Sequence, residues 1–181
     1  MSFRSKSGLI YRIISFAFNQ VFGKALFCMM IIDIEASGLH PDLSYPIEIG
    51  VCRLEDPEQS LSFLIKPDAS WQYWDDIAEE IHGIRRDELE EKGVDLQSAC
   101  RQLNEFIKTQ VISDAPDFDF MWLRRLFMTA GLPMRFKVTG FHQFLSNEDQ
   151  ERVHHLIDIQ GRPHRALADA RMIAQTLKKF V

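Results

Sequence analysis

The sequence predicts an α/β domain built on a mixed five-stranded sheet, and three observations point there. Three β-rich runs come first, separated only by turns, so they are expected to pair antiparallel. Helical periodicities and short apolar strands then alternate, as expected for strands joined by crossover helices. The 181 residues, 46% of them hydrophobic, are enough for one core without disulfide or metal staples.

Taken in order, Met29 to Ala36 reads as an apolar strand, and "ASGLHPDLSYP" brings the turn residues Gly38, Pro41 and Pro46. "IEIGVCRLED" and "QSLSFLIKP" are two more strands, joined by a polar turn at Asp56 to Gln59. "WDDIAEEIHGI" reads as helical. "DLQSACRQLNEFIKTQ" repeats Leu96, Ala99, Cys100, Leu103, Phe106 and Ile107 at spacings of three and four, the mark of an amphipathic helix. "VIS" is a short strand, and "DFMWLRRLFMTAGL" a helix stopped by Gly131 and Pro133. A strand near Phe136 to Thr139, a helix around Gln143 to His155 and a last helix from His164 to Phe180 complete the set.

Residues 1–29 differ from the rest: they hold Arg4, Lys6, Arg12 and Lys24 but no acid. Residues 30–181 therefore carry 17 basic against 26 acidic side chains, a formal charge of −9. Arg12, Asn19, Gln20 and Lys24 break up the apolar run that a secretory signal or a membrane span needs. The segment reads either as an organelle transit peptide or as a start called upstream of Met29 or Met30, ahead of one globular domain over 30–181. Cys28, Cys52 and Cys100 form no CxxC pair, so no disulfide framework or zinc knuckle is expected and a reducing, cytoplasmic setting is the default.

Asp33 and Glu35 sit one residue apart inside the first strand, so both project to the same face while Ile32 and Ile34 face the other. Two carboxylates that close repel, and a cation, a shared proton or exposure to water must relieve them. Asp119, after the "VIS" strand at the start of a helix, and Asp169, one turn into the last helix, also lie at element ends, where active sites are commonly assembled. Singly, each has an ordinary reading: a solvated strand face, a helix N-cap, an acid near a helix dipole.

Together these segments resemble the DEDDh 3′-to-5′ exonucleases, a family on the ribonuclease H-like fold that includes ribonuclease T, oligoribonuclease and polymerase proofreading subunits. "DIEASGL" is similar to the first motif, "DFMWL" to the second and "HRALADA" to the third, in the family's order and over about Met30 to Val181. The resemblance implies metal ligands at Asp33, Glu35, Asp119 and Asp169, and a general base at His164. It also implies two Mg²⁺ or Mn²⁺ ions, which such carboxylates suit as hard oxygen ligands. Arg165 stands where the tyrosine subclass would have its Tyr, which favours the histidine subclass. By the same resemblance the turn Ser37, Gly38 and Leu39 lies against the terminal nucleotide and His82 of "IHGI" approaches the substrate; Phe118 offers a face for base stacking. The chain departs from many relatives in having Ser113-Asp114 in place of His-Asn, and Asp117 competes with Asp119 for the second-motif role.

The charge limits the substrate. A domain at −9 lacks the basic stripe that holds long duplexes, so trimming of single-stranded 3′ ends is expected. The resemblance to small RNA-trimming members of the family places RNA or short oligonucleotides ahead of DNA. Arg124, Arg125, Arg162 and Arg165 are expected to form a small positive rim, and a homodimer stays open. The alternatives are a proofreading or repair-type DNA exonuclease working with a partner, and a nucleic-acid-binding module without catalysis.

Overall fold

A computed structural model describes residues 29–181. The leader reading of residues 1–29 thus lies, Met29 apart, outside the described residues. The sheet runs in the order β3-β2-β1-β4-β5, from β1 (Met30–Ala36), β2 (Pro46–Arg53), β3 (Ser60–Leu64), β4 (Gln110–Ile112) and β5 (Lys137–Thr139). The β1–β2 and β2–β3 pairs are antiparallel, and β1–β4 and β4–β5 are parallel, so the expected mixed sheet is present.

Among the described residues six helices flank it: α1 (Asp76–His82), α2 (Arg86–Lys92), α3 (Leu96–Phe106), α4 (Pro116–Ala130), α5 (Asn147–Gln160) and α6 (Ala166–Leu177). The central strand β1 is covered on both faces, which is why it reads as an almost unbroken apolar run. Ile32 and Ile34 join Cys100 and Leu103 of α3 and Leu123 and Leu126 of α4 in one core. Ile31 packs on the other side with Val153 and Ile157 of α5 and Ile173 and Leu177 of α6. Asp33 and Glu35 belong to this second face, and alternation along the strand carries them toward the start of α6.

Two elements differ from the sequence reading. Helix α2, "RDELEEK", was not expected, because Leu89 is its one buried residue and no apolar period shows. The helix expected around Gln143 to His155 is divided: Phe141–Gln143 forms a 3₁₀ turn, and α5 starts at Asn147 because the Ser146 side chain accepts the Asp149 N–H as a cap.

Gly50 of β2 lies opposite Asp33 and lets α6 approach the sheet. A Cβ there would sit 2.2 Å from the Leu167 nitrogen and 2.3 Å from the Ala166 carbonyl carbon, both backbone atoms that cannot rotate away. Helix α6 therefore rests on bare backbone at the level of the acid pair. Gly50→Ala is expected to lower stability by at least about 2 kcal/mol, as overpacking of a tight core does, and to pull Asp169 away from β1. Urea denaturation checks the first effect; a wild-type midpoint would show that α6 does not rest on this glycine.

Candidate active site

Asp33, Glu35 and Asp169 each offer a carboxylate oxygen within 4.8 Å of the others. Strand alternation aims the first two, and the seating of α6 brings the third. Asp169 Oδ2 accepts the Arg165 N–H at 3.1 Å, so the carboxylate also ties off the first turn of its own helix. Its Oδ1 is buried with no hydrogen-bond partner. An orphaned carboxylate oxygen in a trio of hard oxygen donors is the arrangement a divalent cation completes, so these residues fit a metal ion of the magnesium type.

A fourth acid arrives from α4. Asp119 is buried and its Oδ2 accepts the Ser113 hydroxyl at 2.6 Å; the same Ser113 Oγ accepts the Ala115 N–H at 2.9 Å. The structure places Asp119 in the wall of the same cavity, outside the tight trio, and leaves Asp117 exposed. Asp119 is not the helix cap: that position belongs to Ala115.

Burial acts on all four acids, and repulsion from neighbouring carboxylates on Asp33, Glu35 and Asp119. Asp33 is held well above the ordinary carboxylate range by burial and then by Asp119, Asp114, Glu35 and Asp169. Burial, with Asp169 and Glu48 adding, pushes Glu35 up to about 7. Burial raises Asp119 to about 8 against the opposing Ser113 hydrogen bond, and it raises Asp169 as well. The cluster therefore holds protons that an arriving cation would displace.

Sequence reasoning did not single out Glu48. This buried carboxylate lies opposite Glu35 on β2 and takes a two-point grip on Arg165, from Nε at 3.1 Å and Nη2 at 2.8 Å, plus the Ala166 N–H at 3.0 Å. The grip fastens the start of α6, and with it His164, to the sheet. His164 lines the cavity with φ 53°, a left-handed backbone that a non-glycine residue seldom adopts and that functional sites commonly hold.

The cavity, about 320 Å³, has a second, apolar wall. Leu39, Phe118 and the α1 residues Ile77 and Ile81 line it while remaining 45 to 69% exposed. Gly38 is required there by φ 146°, and a Cβ would come within 2.7 Å of the Tyr73 ring. His82 is buried behind this wall and burial lowers its pKa. Its Nδ1 accepts the Ile84 N–H at 3.0 Å, leaving Nε2 as the protonated nitrogen, without a partner.

Of the residues singled out from sequence, Asp33, Glu35, Asp119, His164, Asp169, Gly38, Leu39, His82 and Phe118 all meet at this cavity. Ser37 does not. It is buried in the turn, where its hydroxyl accepts the Tyr45 N–H at 3.2 Å, so its side chain serves the hairpin and does not line the cavity. The expected positive rim also differs. Arg165 is spent on Glu48, Arg125 on the Asp42 and Ser44 carbonyls, and Arg162 turns inward to Asp33 and Asp114. Ile77 and Ile81 carried a signal that went unread: two isoleucines four apart on a short helix, on a face that the core does not use.

The RNase T family model, described as an exonuclease, matches residues 30–177. No curated protein sequence matches the chain. Among solved structures, E. coli exonuclease I bound to single-stranded DNA in a zinc-ion form is similar, at 18% identity and a TM-score of 0.64, over 83% of this chain and 39% of that one. The same enzyme with a dA16 oligonucleotide gives 19% identity and a TM-score of 0.65 over 83% of this chain and 40% of that one. The chain thus spans about two-fifths of that enzyme's length, and the likeness is one of fold. The match of the family model over most of its length shows that the chain belongs to the DEDDh-type 3′-to-5′ exonuclease family, on the ribonuclease H-like fold.

Proposed function

We propose that this exonuclease uses Mg²⁺ or Mn²⁺ to trim single-stranded 3′ ends to nucleoside 5′-monophosphates. The observation that carries this reading is the convergence of four carboxylates from β1, α4 and α6, three buried and Glu35 half-buried, with His164 beside them, on a cavity whose other wall is apolar. Asp33, Glu35, Asp119 and Asp169 would hold the cation. When bound, it supplies charge neutralisation at the phosphate and a water acidic enough to attack near neutral pH.

This chain's own residues account for the rest. An imidazole nitrogen of His164, which lines the cavity beside the acids, accepts the proton of the attacking water. The water oxygen bonds to phosphorus, the bond to the departing strand's 3′-oxygen breaks, and that oxygen takes a proton from solvent. Leu39, Ile77, Ile81 and Phe118 offer the terminal base an apolar seat that suits any base, since every base has a π face. The Nε2–H of His82 is a donor ready for a polar atom of the same nucleotide.

RNA or short oligonucleotides are the favoured substrates, by analogy with the small RNA-trimming members of the family; the charge of −9 over residues 30–181 is poorly matched to long duplexes of either sugar. Single-stranded DNA is the second reading, favoured by the DNA oligonucleotides in the exonuclease I complexes. A cytoplasmic setting draws support from Cys52 and Cys100, both free and buried, and no described helix is long and apolar enough to cross a membrane. A homodimer would add the cations that this reading leaves scarce.

The test uses the full chain with 5′-labelled single strands of one sequence as RNA and as DNA. With Mn²⁺ a ladder shortening from the 3′ end is expected, faster on RNA, and with EDTA none. Intact strands under every divalent metal would overturn the reading. Asp33→Asn should slow cleavage by about a thousandfold or more while the circular dichroism spectrum is unchanged. Leu39→Ala should raise KM about tenfold and leave kcat within a few-fold, as expected for a lost base contact.

The raised acids also predict a pH dependence. Because Glu35 and Asp119 bind protons more tightly folded than unfolded, their contribution to stability is full below the ordinary carboxylate range. It is lost as pH rises through about 7 and about 8. The Tm of metal-free protein should therefore fall between about pH 5 and 8, and Mn²⁺ should restore it, most strongly at the upper end. A metal-free Tm that rises over this window would contradict the cluster's electrostatics.

A further inference from the structure

We propose that Arg162, held by Asp114, is the phosphate-binding cation of this site. The proposal rests on the exonuclease reading and concerns a residue pair outside the three motifs. It starts from an excess of negative charge. Asp114 lines the cavity already containing Asp33, Glu35, Asp119 and Asp169, and its side chain is only 6% exposed. Its charge acts against the ionisation of both Asp33 and Asp119. A fifth carboxylate in such a place weakens the site unless it holds something there.

What it holds is a guanidinium. Arg162 Nη2 pairs with Asp114 Oδ2, and Nη1 lies 3.5 Å from Asp33 Oδ1. The contact with Asp33 is the longer one, so Asp114 is the anchor. Arg162 reaches the cavity from the segment between α5 and α6, and Pro163, whose ring restricts the backbone, separates it from His164. Two contacts leave donors over. A guanidinium carries five N–H groups, and Nε has no partner among the described residues, on a side chain 28% exposed.

Arg162 is also the one arginine or lysine that lines the cavity among the described residues. Arg165, next to His164, is engaged with Glu48, as above. A phosphate entering between the carboxylates and the apolar wall would therefore meet Arg162 as the only permanent protein cation there. The planar fork of arginine suits two oxygens of one phosphate. Asp114 sets the direction of the fork and keeps it at the cavity wall when a metal ion claims Asp33. Without this task the pair would be an internal counter-ion only, and the two roles separate by experiment.

The experiment measures how much a phosphate adds to binding. The affinities of adenosine 5′-monophosphate and of adenosine for full-length protein in Mn²⁺ are measured by calorimetry, and their ratio is taken. Arg162→Ala combined with Asp114→Asn removes both charges without stranding a buried one, and Arg162→Lys keeps the charge without the fork; Tm confirms folding for each. The double variant should shrink the ratio about tenfold with adenosine affinity unchanged, and Arg162→Lys should fall between it and wild type. A ratio unmoved in the double variant overturns the proposal. So does an unmoved ratio together with Mn²⁺ affinity raised by calorimetry, which would make Arg162 a competitor of the metal. Wild-type protein that shortens strands while the ratio stays unmoved defeats this inference alone, whereas wild-type protein that shortens none defeats the exonuclease reading beneath it.

Discussion

The site depends on how closely α6 can approach the sheet. Asp33 and Glu35 come from one strand, but the third member of the trio belongs to a helix, and a helix normally stands off a sheet by the thickness of a side-chain layer. At Gly50 that layer is missing, so the backbone of Ala166 and Leu167 rests almost on β2. Glu48 closes the same contact from the side by binding the Ala166 N–H and the Arg165 guanidinium. One position without a side chain and one buried acid two residues away thus set the distance between strand carboxylates and helix carboxylate.

That distance is electrostatically costly. All four acids are raised by burial, and Asp33, Glu35 and Asp119 by neighbouring carboxylates as well; nothing in the hydrophobic core favours bringing them together. Partial relief comes from Ser113 on Asp119, from the Arg165 N–H on Asp169, and from Arg162 between Asp33 and Asp114. The protein therefore stores repulsion at one end of the sheet, and core packing elsewhere holds it in place. A cation would gain this repulsion as binding energy, since its arrival removes the term that opposes the fold. Glu48 differs in kind: its charge is matched by Arg165, and it serves geometry.

The opposite wall explains how a chain of net negative charge can hold a polyanion's end. Leu39, Ile77, Ile81 and Phe118 keep apolar surface in contact with solvent, which suits a flat base better than a phosphate backbone. Binding energy would then come from one or two terminal nucleotides, with little contribution from a long electrostatic track. The engagement of Arg165 and Arg125 strengthens that division, because two cations which looked available for a rim are committed to an acid and to carbonyls.

Much of this was legible in the primary structure, and the failures have physical causes. Strand alternation placed Asp33 and Glu35 on one face, and the motif order placed Asp119, His164 and Asp169 at the same cavity, because those positions follow from local periodicity and from a shared pattern. Helix α2 was missed since one buried leucine leaves no period to read, and the inward turn of the Ser37 hydroxyl could not be read because it is set by the Tyr45 N–H, a contact made eight residues along the chain. The amino-acid sequence by itself determined the mixed sheet, the acid pair on one strand face and which acids and histidine meet at the cavity. Only the tertiary structure decided that Asp114 faces Arg162, that Glu48 fastens Arg165, and that Gly50 seats α6. Those pairs lie 48, 117 and roughly as many residues apart, and contacts over such separations are set by packing of elements whose relative placement no local pattern encodes.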